Sequence, residues 1–305
     1  MSRTRPPLDY LPADESFHDP LRGDAHHPDK ARCVVIPFGL EASVSYGSGT
    51  ASGPSAILAA SHQLELYDEE LRREAYLDYG IAAIREPEIA KPIEPALAQL
   101  SSLVEQVLDV GRFPLVLGGE HSLTAGAIRP FAASYNDLVV LQFDAHADLR
   151  DGYLGEKYSH AAAMRRVLDH AHVELVSVGI RAISKEEAEF ADAHPNRVHI
   201  YWGKDQARWD IETIAAHMRG RPIYVSFDID GLDGAVMPAT GTPTPGGLSY
   251  LHALAILKRA AEVGTIVGAD LVELAPIPGF HIYDYTAAAL AYKIMNYALS
   301  GTEPR

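Results

Sequence analysis

The chain has 305 residues, of which 47% are hydrophobic, and its formal net charge at pH 7 is −15. This hydrophobic content is enough for one large core, and the acidic balance argues against a nucleic-acid partner, because nucleic-acid-binding proteins normally present a basic face. The charge is weakly in favour of a small cationic substrate, through electrostatic steering, and ordinary acidic solubility accounts for most of it. The single cysteine, Cys33, excludes a disulfide framework and indicates a reducing compartment. Because no signal peptide or membrane-length apolar run is visible, we expect a cytoplasmic protein without a membrane partner.

The chain begins with about thirty irregular residues that are rich in Pro, Asp and His. We predict that residues 1–30 form an arm that lies on the body of the protein or on a neighbouring subunit. Three histidines of the arm, His18, His26 and His27, have no carboxylate pattern around them and are predicted to be surface residues rather than metal ligands. Residues 31–305 contain no linker long enough to divide them, which predicts a single domain.

Apolar strand-like segments alternate with helical segments through this domain. A loop rich in Gly and Ser at 43–53 lacks Walker spacing and a following lysine, so it is predicted to form the wall of a site and not a phosphate cradle. The strand segments are predicted at 32–38, 75–79 (weakly), 113–122, 138–150, 173–178, 198–202, 222–231 and 265–273. The helices are predicted from Pro54, and at 93–110, 123–131, 161–172, 185–193, 250–262 (capped by Ser249) and 286–299.

This alternation predicts an α/β fold with three layers, α/β/α, around a mostly parallel sheet of about eight strands. In open parallel sheets, binding sites form outside the carboxyl ends of the strands. Polar residues that follow the predicted strands are therefore the first candidates for a functional site.

The segment 138–150 carries Asp144, His146 and Asp148 at every second position, directly after an apolar strand. If the chain stays extended there, all three side chains leave one side of the backbone. Two carboxylates and an imidazole are costly to bury unless a cation neutralises them, which favours a metal ion. Taken alone, the pattern is equally consistent with a polar strand end that dips into solvent.

Two further strands end in the same way. The segment 222–231 ends in Asp228 and Asp230, and the segment 113–122 ends in a Gly pair followed by Glu120 and His121. Three strands would thus bring four Asp and two His to one edge of the sheet. This oxygen-rich set could hold two divalent ions and suits manganese better than zinc. Two such ions can share a water and convert it to hydroxide at neutral pH, which is a nucleophile for hydrolysis.

The three motifs resemble the signatures of the ureohydrolases, a family that includes arginase and agmatinase. They read Gly-Gly-Glu-His-Ser at 118–122, Asp-Ala-His-Ala-Asp at 144–148, and Ser-Phe-Asp-Ile-Asp-Gly-Leu-Asp at 226–233 followed by Ala-Thr-Gly-Thr-Pro at 239–243. The resemblance implies an arginase/deacetylase-like fold, two Mn²⁺ per subunit and release of urea from a guanidino compound. The implied metal ligands are His121, Asp144, His146, Asp148, Asp228 and Asp230.

The same resemblance implies roles for individual residues near these motifs. Glu273 is similar to the glutamate that holds the substrate guanidinium, and His160 to the loop histidine that relays protons to the departing amine. Asp148 would carry a proton to that amine. The residues that would bind the substrate are Glu273, His160 and Thr240. The alternatives are a strand-end acid that caps a neighbour, for Glu273, and a rim histidine without chemistry, for His160.

The loop at 149–160 bears on the substrate. It lacks the Ser-Gly-Asn-x-His-Gly pattern of arginases, which disfavours arginine, and its Lys-Tyr-Ser-His-Ala form is similar to agmatinases and enzymes acting on aminopropylagmatine. We therefore expect cleavage of agmatine to putrescine and urea, as in polyamine biosynthesis; N1-aminopropylagmatine, guanidinobutyrate and other guanidino compounds are the alternatives. Asp151 or Glu156 could meet the distal amine. Gly234 and Ala239 depart from the common agmatinase form.

Two alternatives belong to other functional classes. A single-metal deacetylase of the same fold would keep one Asp-x-His pair and one later Asp, and the additional Asp148 and the Asp228/Asp230 pair argue against it. A non-catalytic, metal-stabilised subunit would be expected to have lost Glu273, His160 or a ligand. Ureohydrolases are commonly trimers or hexamers, so the resemblance implies a homo-oligomer.

Overall fold

The computed structural model describes residues 6–18 and 27–300. Its centre is one sheet of eight strands, all parallel, in the order β2-β1-β3-β8-β7-β4-β5-β6. The strands are β1 (Cys33–Phe38), β2 (Ile81–Ala83), β3 (Phe113–Gly118), β4 (Val139–Phe143), β5 (Glu174–Ile180), β6 (Val198–Trp202), β7 (Pro222–Asp228) and β8 (Thr265–Val272).

Helices cover both faces of this sheet. They are α1 (Gly53–Ser61), α2 (Tyr76–Tyr79), α3 (Ile93–Asp109), α4 (Thr124–Ala127), α5 (Arg129–Ser134), α6 (Ala163–Val167), α7 (Lys185–Ala193), α8 (Ile211–Ala216), α9 (Tyr250–Val263) and α10 (His281–Leu299). Successive residues of a strand enter different apolar cores: Val35 packs in the core under α1, α9 and α10, and Val34 in the core under α3 to α6. Burial on both faces explains the continuous apolar runs of the strands. The predicted three-layer parallel α/β fold is confirmed.

Local sequence signals account for several helices where they were predicted. Helix α3 buries Ile93, Leu97, Leu100 and Val104 along one stripe at spacings of three and four residues. Helix α7 begins with a capping box at Ser184, and α9 begins after Ser249, whose side chain accepts a hydrogen bond from the N–H group of the third helical residue.

The predicted strand at 75–79 is wrong, because this segment is helix α2 and the strand follows at β2. A strand would place Leu77 and Tyr79 on the same face. The structure instead buries Tyr76 and Tyr79, three residues apart on one helical face, and leaves Leu77 58% exposed. Gly80, with φ of +63°, ends the helix and turns the chain into β2.

Other helix boundaries differ from the prediction. The helix predicted at 123–131 is two short helices, α4 and α5, with Pro130 in the first turn of the second. The helix predicted at 161–172 ends at Val167, and α8 was not predicted. Helix α10 starts five residues earlier than predicted, because Ile282 and Tyr285 in its first turns are exposed and weaken the apolar periodicity.

Part of the N-terminal segment covers the β2 edge of the sheet. Tyr10 forms an antiparallel bridge with Ile84, and the Leu11 N–H donates to the Ala83 carbonyl at 2.9 Å. Covering an edge strand blocks pairing with other chains.

We propose that residues 1–30 form an arm and residues 31–305 a single domain. Among the described residues, the structure contains no helix that is both long and apolar enough to span a membrane.

The prediction of surface histidines in the arm is wrong for His18. Its ring is fully buried between Tyr76 and Tyr292, with ring centroids 5.5 and 4.3 Å away, so apolar packing rather than solvent surrounds it. His27 is exposed beside Asp29, as predicted. His26 lies outside the described residues.

Candidate metal centre

The four central strands, β3, β8, β7 and β4, are neighbours in the sheet and carry the predicted site residues at their carboxyl ends. Because all strands are parallel, these ends meet at one edge. The two side chains of this set that are partly exposed are His146, at 30%, and Glu273; the others are buried. The residues brought together are His121 after β3; Asp144, His146 and Asp148 after β4; Asp228 and Asp230 at the end of β7; and Glu273 after β8.

Three carboxylates surround one face of His121. Its Nδ1 atom lies 3.1 Å from Asp144 Oδ2, 3.0 Å from Asp148 Oδ2 and 3.4 Å from Asp228 Oδ2. Among the described residues, this buried nitrogen makes no hydrogen bond despite these short distances. Ligand atoms that each lie about 2.0–2.2 Å from a common ion are separated from one another by distances like those measured around His121 Nδ1. The arrangement therefore fits donors directed at a shared cation.

A second group of ligand atoms adjoins the first. His146 Nδ1 lies 2.9 Å from Asp230 Oδ2 and 3.6 Å from Asp144 Oδ1. Asp144 thus offers one carboxylate oxygen to each group, and both groups have the spacing of metal ligands. Two ions bridged by Asp144 would fit this geometry.

The charges of the site also favour divalent cations. Burial lowers the pKa of His146, but the hydrogen bonds that its ring donates to the carboxylates of Asp144 and Asp230 outweigh burial and raise that pKa to about 12. Burial and neighbouring carboxylates raise the pKa of Asp228 well above its usual range. With protein groups alone, the crowded acids must therefore share protons with the imidazoles. Bound divalent ions supply the balancing charge without those protons, and an oxygen-rich donor set suits manganese.

The regular strand ends before the ligand residues, and the chain continues with a bend at Ala145 and an isolated parallel bridge between His146 and Ala182. Strand β4 ends at Phe143, and Asp148 has a left-handed backbone with φ of +52°. The backbone therefore departs from a continuous extended strand by Asp148, while the side chains of Asp144, His146 and Asp148 do converge. Glu273 also has a left-handed backbone, with φ of +67°. Strained conformations of this kind cluster at functional sites.

A buried network that sequence reasoning missed orients His121. His121 Nε2 lies 2.9 Å from Ser226 Oγ, which donates to Asp270 Oδ1 at 2.8 Å. Asp270 is fully buried in β8 and also accepts hydrogen bonds from Thr124 and Tyr224. Such partners fix the ring orientation of a ligand histidine. The sequence feature that could have indicated this network is Asp270, an acidic residue inside the otherwise largely apolar strand β8.

A cavity of about 260 Å³ opens above the ligand groups. One wall is the predicted loop at 43–53, through residues 44–47, and Gly241 and Thr242, which follow Thr240, form another. Glu273 lines the cavity, and its Oε1 accepts a 2.6 Å hydrogen bond from the His121 N–H group. Burial raises the pKa of Glu273 to about 8. The predicted site residues that line the cavity are His121, His146, Asp148, His160, Asp228, Asp230 and Glu273.

The two acids considered for a distal amine lie elsewhere. Asp151 is exposed and pairs with Arg166 at 2.5 Å, and Glu156 lines a different cavity. Besides the predicted site residues, Glu187 is a further acid that lines the central cavity, and its Oε2 lies 3.8 Å from Arg150 Nε. Neither Asp151 nor Glu156 is among the residues that line the central cavity.

A third group of metal-ligand type lies at the opposite end of β5 and comprises Glu174, His199 and His217. Arg221 already neutralises Glu174, with 2.6 Å between Nη1 and Oε2. The two imidazole rings stack at 4.0 Å with an interplanar angle of 29°. Because ring lone pairs lie in the ring planes, stacked rings do not converge on one ion.

Several known proteins and solved structures are similar to this chain over most of its length. The chain is 37% identical over 278 residues to the N(1)-aminopropylagmatine ureohydrolase of Synechocystis sp., covering 88% of this chain and 89% of that protein. It is 37% identical over 262 residues to the agmatinase of Bacillus anthracis, covering 82% and 87%. The agmatine ureohydrolase structure of Thermoplasma volcanium matches with a TM-score of 0.80 and 31% identity, covering 90% and 93%. A sequence model of the arginase family matches residues 31–299, and the chain therefore belongs to the arginase family.

Proposed function

We propose that this member of the arginase family hydrolyses agmatine to putrescine and urea at a centre of two manganese ions. The enzyme is a hydrolase that acts on guanidino C–N bonds. The observation that carries the proposal is the pair of adjoining ligand groups beneath a cavity that also contains Glu273. Relatives named agmatinase and N(1)-aminopropylagmatine ureohydrolase support a polyamine-type substrate.

In this proposal Glu273 binds the substrate guanidinium. A guanidinium group presents a planar fork of N–H donors, and a carboxylate is its natural acceptor. The hydrogen bond from the His121 N–H group to Glu273 Oε1 fixes the carboxylate beside the ligands. Glu273 thereby orients the guanidino carbon over the metal centre.

The residues that would hold the metals are those of the two groups. His121, Asp148 and Asp228 would bind one ion, His146 and Asp230 the other, and Asp144 both. When bound, two such ions supply a hydroxide nucleophile at neutral pH. Asp148 accepts a proton during attack and passes it towards the leaving amine. His160, in the wall of the same cavity, completes the proton transfer.

The test of this function is urea release by manganese-loaded protein from agmatine, N1-aminopropylagmatine, arginine, guanidinobutyrate and guanidine in parallel. Agmatine should give the highest kcat/KM. Preference for aminopropylagmatine or guanidinobutyrate would keep the chemistry and overturn the substrate assignment. No urea from any compound, in protein that holds two metals per chain, would favour a deacetylase or a non-catalytic subunit.

We also propose a cytoplasmic homo-oligomer, a trimer or a hexamer, from the resemblance to the ureohydrolases. Light scattering of the purified protein measures its mass directly. A mass near the 33.1 kDa of one chain would contradict this assembly.

Manganese removal is expected to abolish activity reversibly. Dialysis against a chelator should lower urea release to background, and Mn²⁺ should restore it better than Zn²⁺ because the donor set is rich in carboxylates. Elemental analysis alongside the assay should give two ions per chain at full activity. Full activity at one ion per chain would contradict the binuclear centre.

Glu273→Gln is expected to lower kcat/KM for agmatine by about 10²-fold, because the substrate cation loses its charged partner at a buried site. Glu273 belongs to neither ligand group, so the variant should still bind two manganese ions per chain. Steady-state kinetics and elemental analysis of the same preparation separate the two effects. Loss of manganese together with activity would assign Glu273 to the metal site instead.

A further inference from the structure

Beside the metal centre, Glu120 holds the loop that forms one wall of the cavity. Its side chain is fully buried, and its Oε2 accepts from the N–H groups of Ala42 at 2.7 Å and Ser43 at 2.6 Å. Its Oε1 accepts from the hydroxyls of Ser43 at 2.7 Å and Ser122 at 2.6 Å. Gly119 allows the chain before Glu120 to lie close to Leu40, because a Cβ atom at position 119 would be only 2.1 Å from the Leu40 carbonyl oxygen.

These four donors occupy the acceptor sites of an ionised carboxylate, two on each oxygen. Glu120 therefore acts only as an acceptor, and the single hydrogen of the Ser43 hydroxyl is directed at Oε1. A hydrogen bond to a carboxylate is shorter and stronger than one to a neutral nitrogen. The 2.7 Å distance to Glu120, against 3.2 Å to the His160 ring, agrees with this direction.

With its hydrogen committed, Ser43 Oγ can only accept from His160. It receives the backbone N–H of His160 at 3.0 Å and lies 3.2 Å from ring atom Nδ1. The only arrangement compatible with an accepting Oγ is a hydrogen on Nδ1. The other hydroxyl near this nitrogen, Ser159 Oγ, is 3.4 Å away, which is beyond the usual hydrogen-bond range.

We propose that Ser43, oriented by Glu120, is a positioning residue that fixes the tautomer of His160, so that neutral His160 carries its hydrogen on Nδ1 and exchanges protons with the cavity through Nε2. This inference rests on the proposed function, which assigns proton transfer to His160. The proton from Asp148 allows the guanidino C–N bond to break and gives a neutral amine, and protonated His160 then gives the hydrogen on Nε2 to the amine nitrogen, so that the product leaves as an ammonium ion. The ring then returns to the neutral form with Nδ1–H, and the next proton comes from water.

The kinetic test uses Ser43→Ala, which removes the acceptor for Nδ1–H. We expect kcat to fall about tenfold, a fraction of what acid–base catalysis contributes, while KM changes little. Ser43→Thr keeps a hydroxyl and should recover most of the loss. Ser159→Ala is the matched control and should retain the wild-type kcat. Equal losses in the alanine variants of Ser43 and Ser159 would overturn the proposal.

The direct test is neutron diffraction from manganese-loaded crystals exchanged into D₂O at alkaline pH. Deuterium on His160 Nδ1 and on Ser43 Oγ towards Glu120 is expected. Deuterium on Nε2 alone would overturn the proposal. His160→Asn distinguishes this failure from that of the proposed function: wild-type kcat in that variant removes His160 from the mechanism, whereas a low kcat with the wrong tautomer rejects only the role of Ser43.

Discussion

Asp148→Asn is expected to lower urea release by on the order of 10³-fold, the largest loss that we predict for a single substitution. Asp148 contributes to the first ligand group, with Oδ2 3.0 Å from His121 Nδ1, and is the proposed proton carrier. An amide has the same shape but no negative charge and a weaker donor oxygen. The variant should therefore lose both metal affinity and proton transfer. Urea assays at rising Mn²⁺ concentrations measure the two losses separately.

Asp151→Asn is the matched control, because this acid lies in the same loop, is exposed and pairs with Arg166 outside the cavity. It should keep kcat and KM for agmatine within about twofold, because Asp151 does not line the cavity and the buried Arg166 keeps a second carboxylate partner, Asp169, at 3.4 Å. If Asp151→Asn raised the KM for agmatine severalfold, the distal amine would be bound there after all. Wild-type activity in Asp148→Asn would contradict the assigned metal centre.

Lys293→Met is expected to lower the free energy of unfolding by about 3 kcal/mol, the largest stability effect that we predict. The ammonium group of Lys293 is buried on α10 and lies 3.1 Å from Asp68 Oδ2 and 3.0 Å from Glu69. Asp68 is itself buried and also accepts from Asn296 at 2.8 Å. Removing the cation leaves the Asp68 carboxylate buried with only neutral partners. Urea-induced unfolding followed by circular dichroism measures the change.

Lys258→Met provides the comparison, because Lys258 pairs with Glu70 on the same surface but is 46% exposed. An exposed pair contributes at most about 1 kcal/mol, so this variant should unfold near the wild-type urea concentration. Equal destabilisation by both variants would show that burial does not determine how much the Lys293–Asp68 pair contributes to the free energy of unfolding. Urea release under native conditions should be unchanged in both, since neither lysine lines the cavity above the candidate metal centre.

The fold and the ligands were predictable because they depend on local patterns. Parallel strands buried on both faces appear as apolar runs, and strands β1 and β3 to β8 were predicted on that basis. The ligands directly follow strand ends, so the sheet topology alone brings Asp144, Asp228 and His121 to one edge. Predictions failed where local patterns were weak, as in the short helix α2 and at His18, whose burial depends on the distant Tyr292.

The fold class, the family and the acids and histidines of the candidate metal centre follow from the amino-acid sequence. The orientation of these groups and their hydrogen-bond partners depend on the three-dimensional packing of the chain. Ser43 lies 77 residues from Glu120 and 117 from His160, and Lys293 lies 225 residues from Asp68. Periodicity reports which face of an element is buried, but not which distant polar group it meets. That pairing arises because each buried donor or acceptor must find a partner once the helices pack on the sheet.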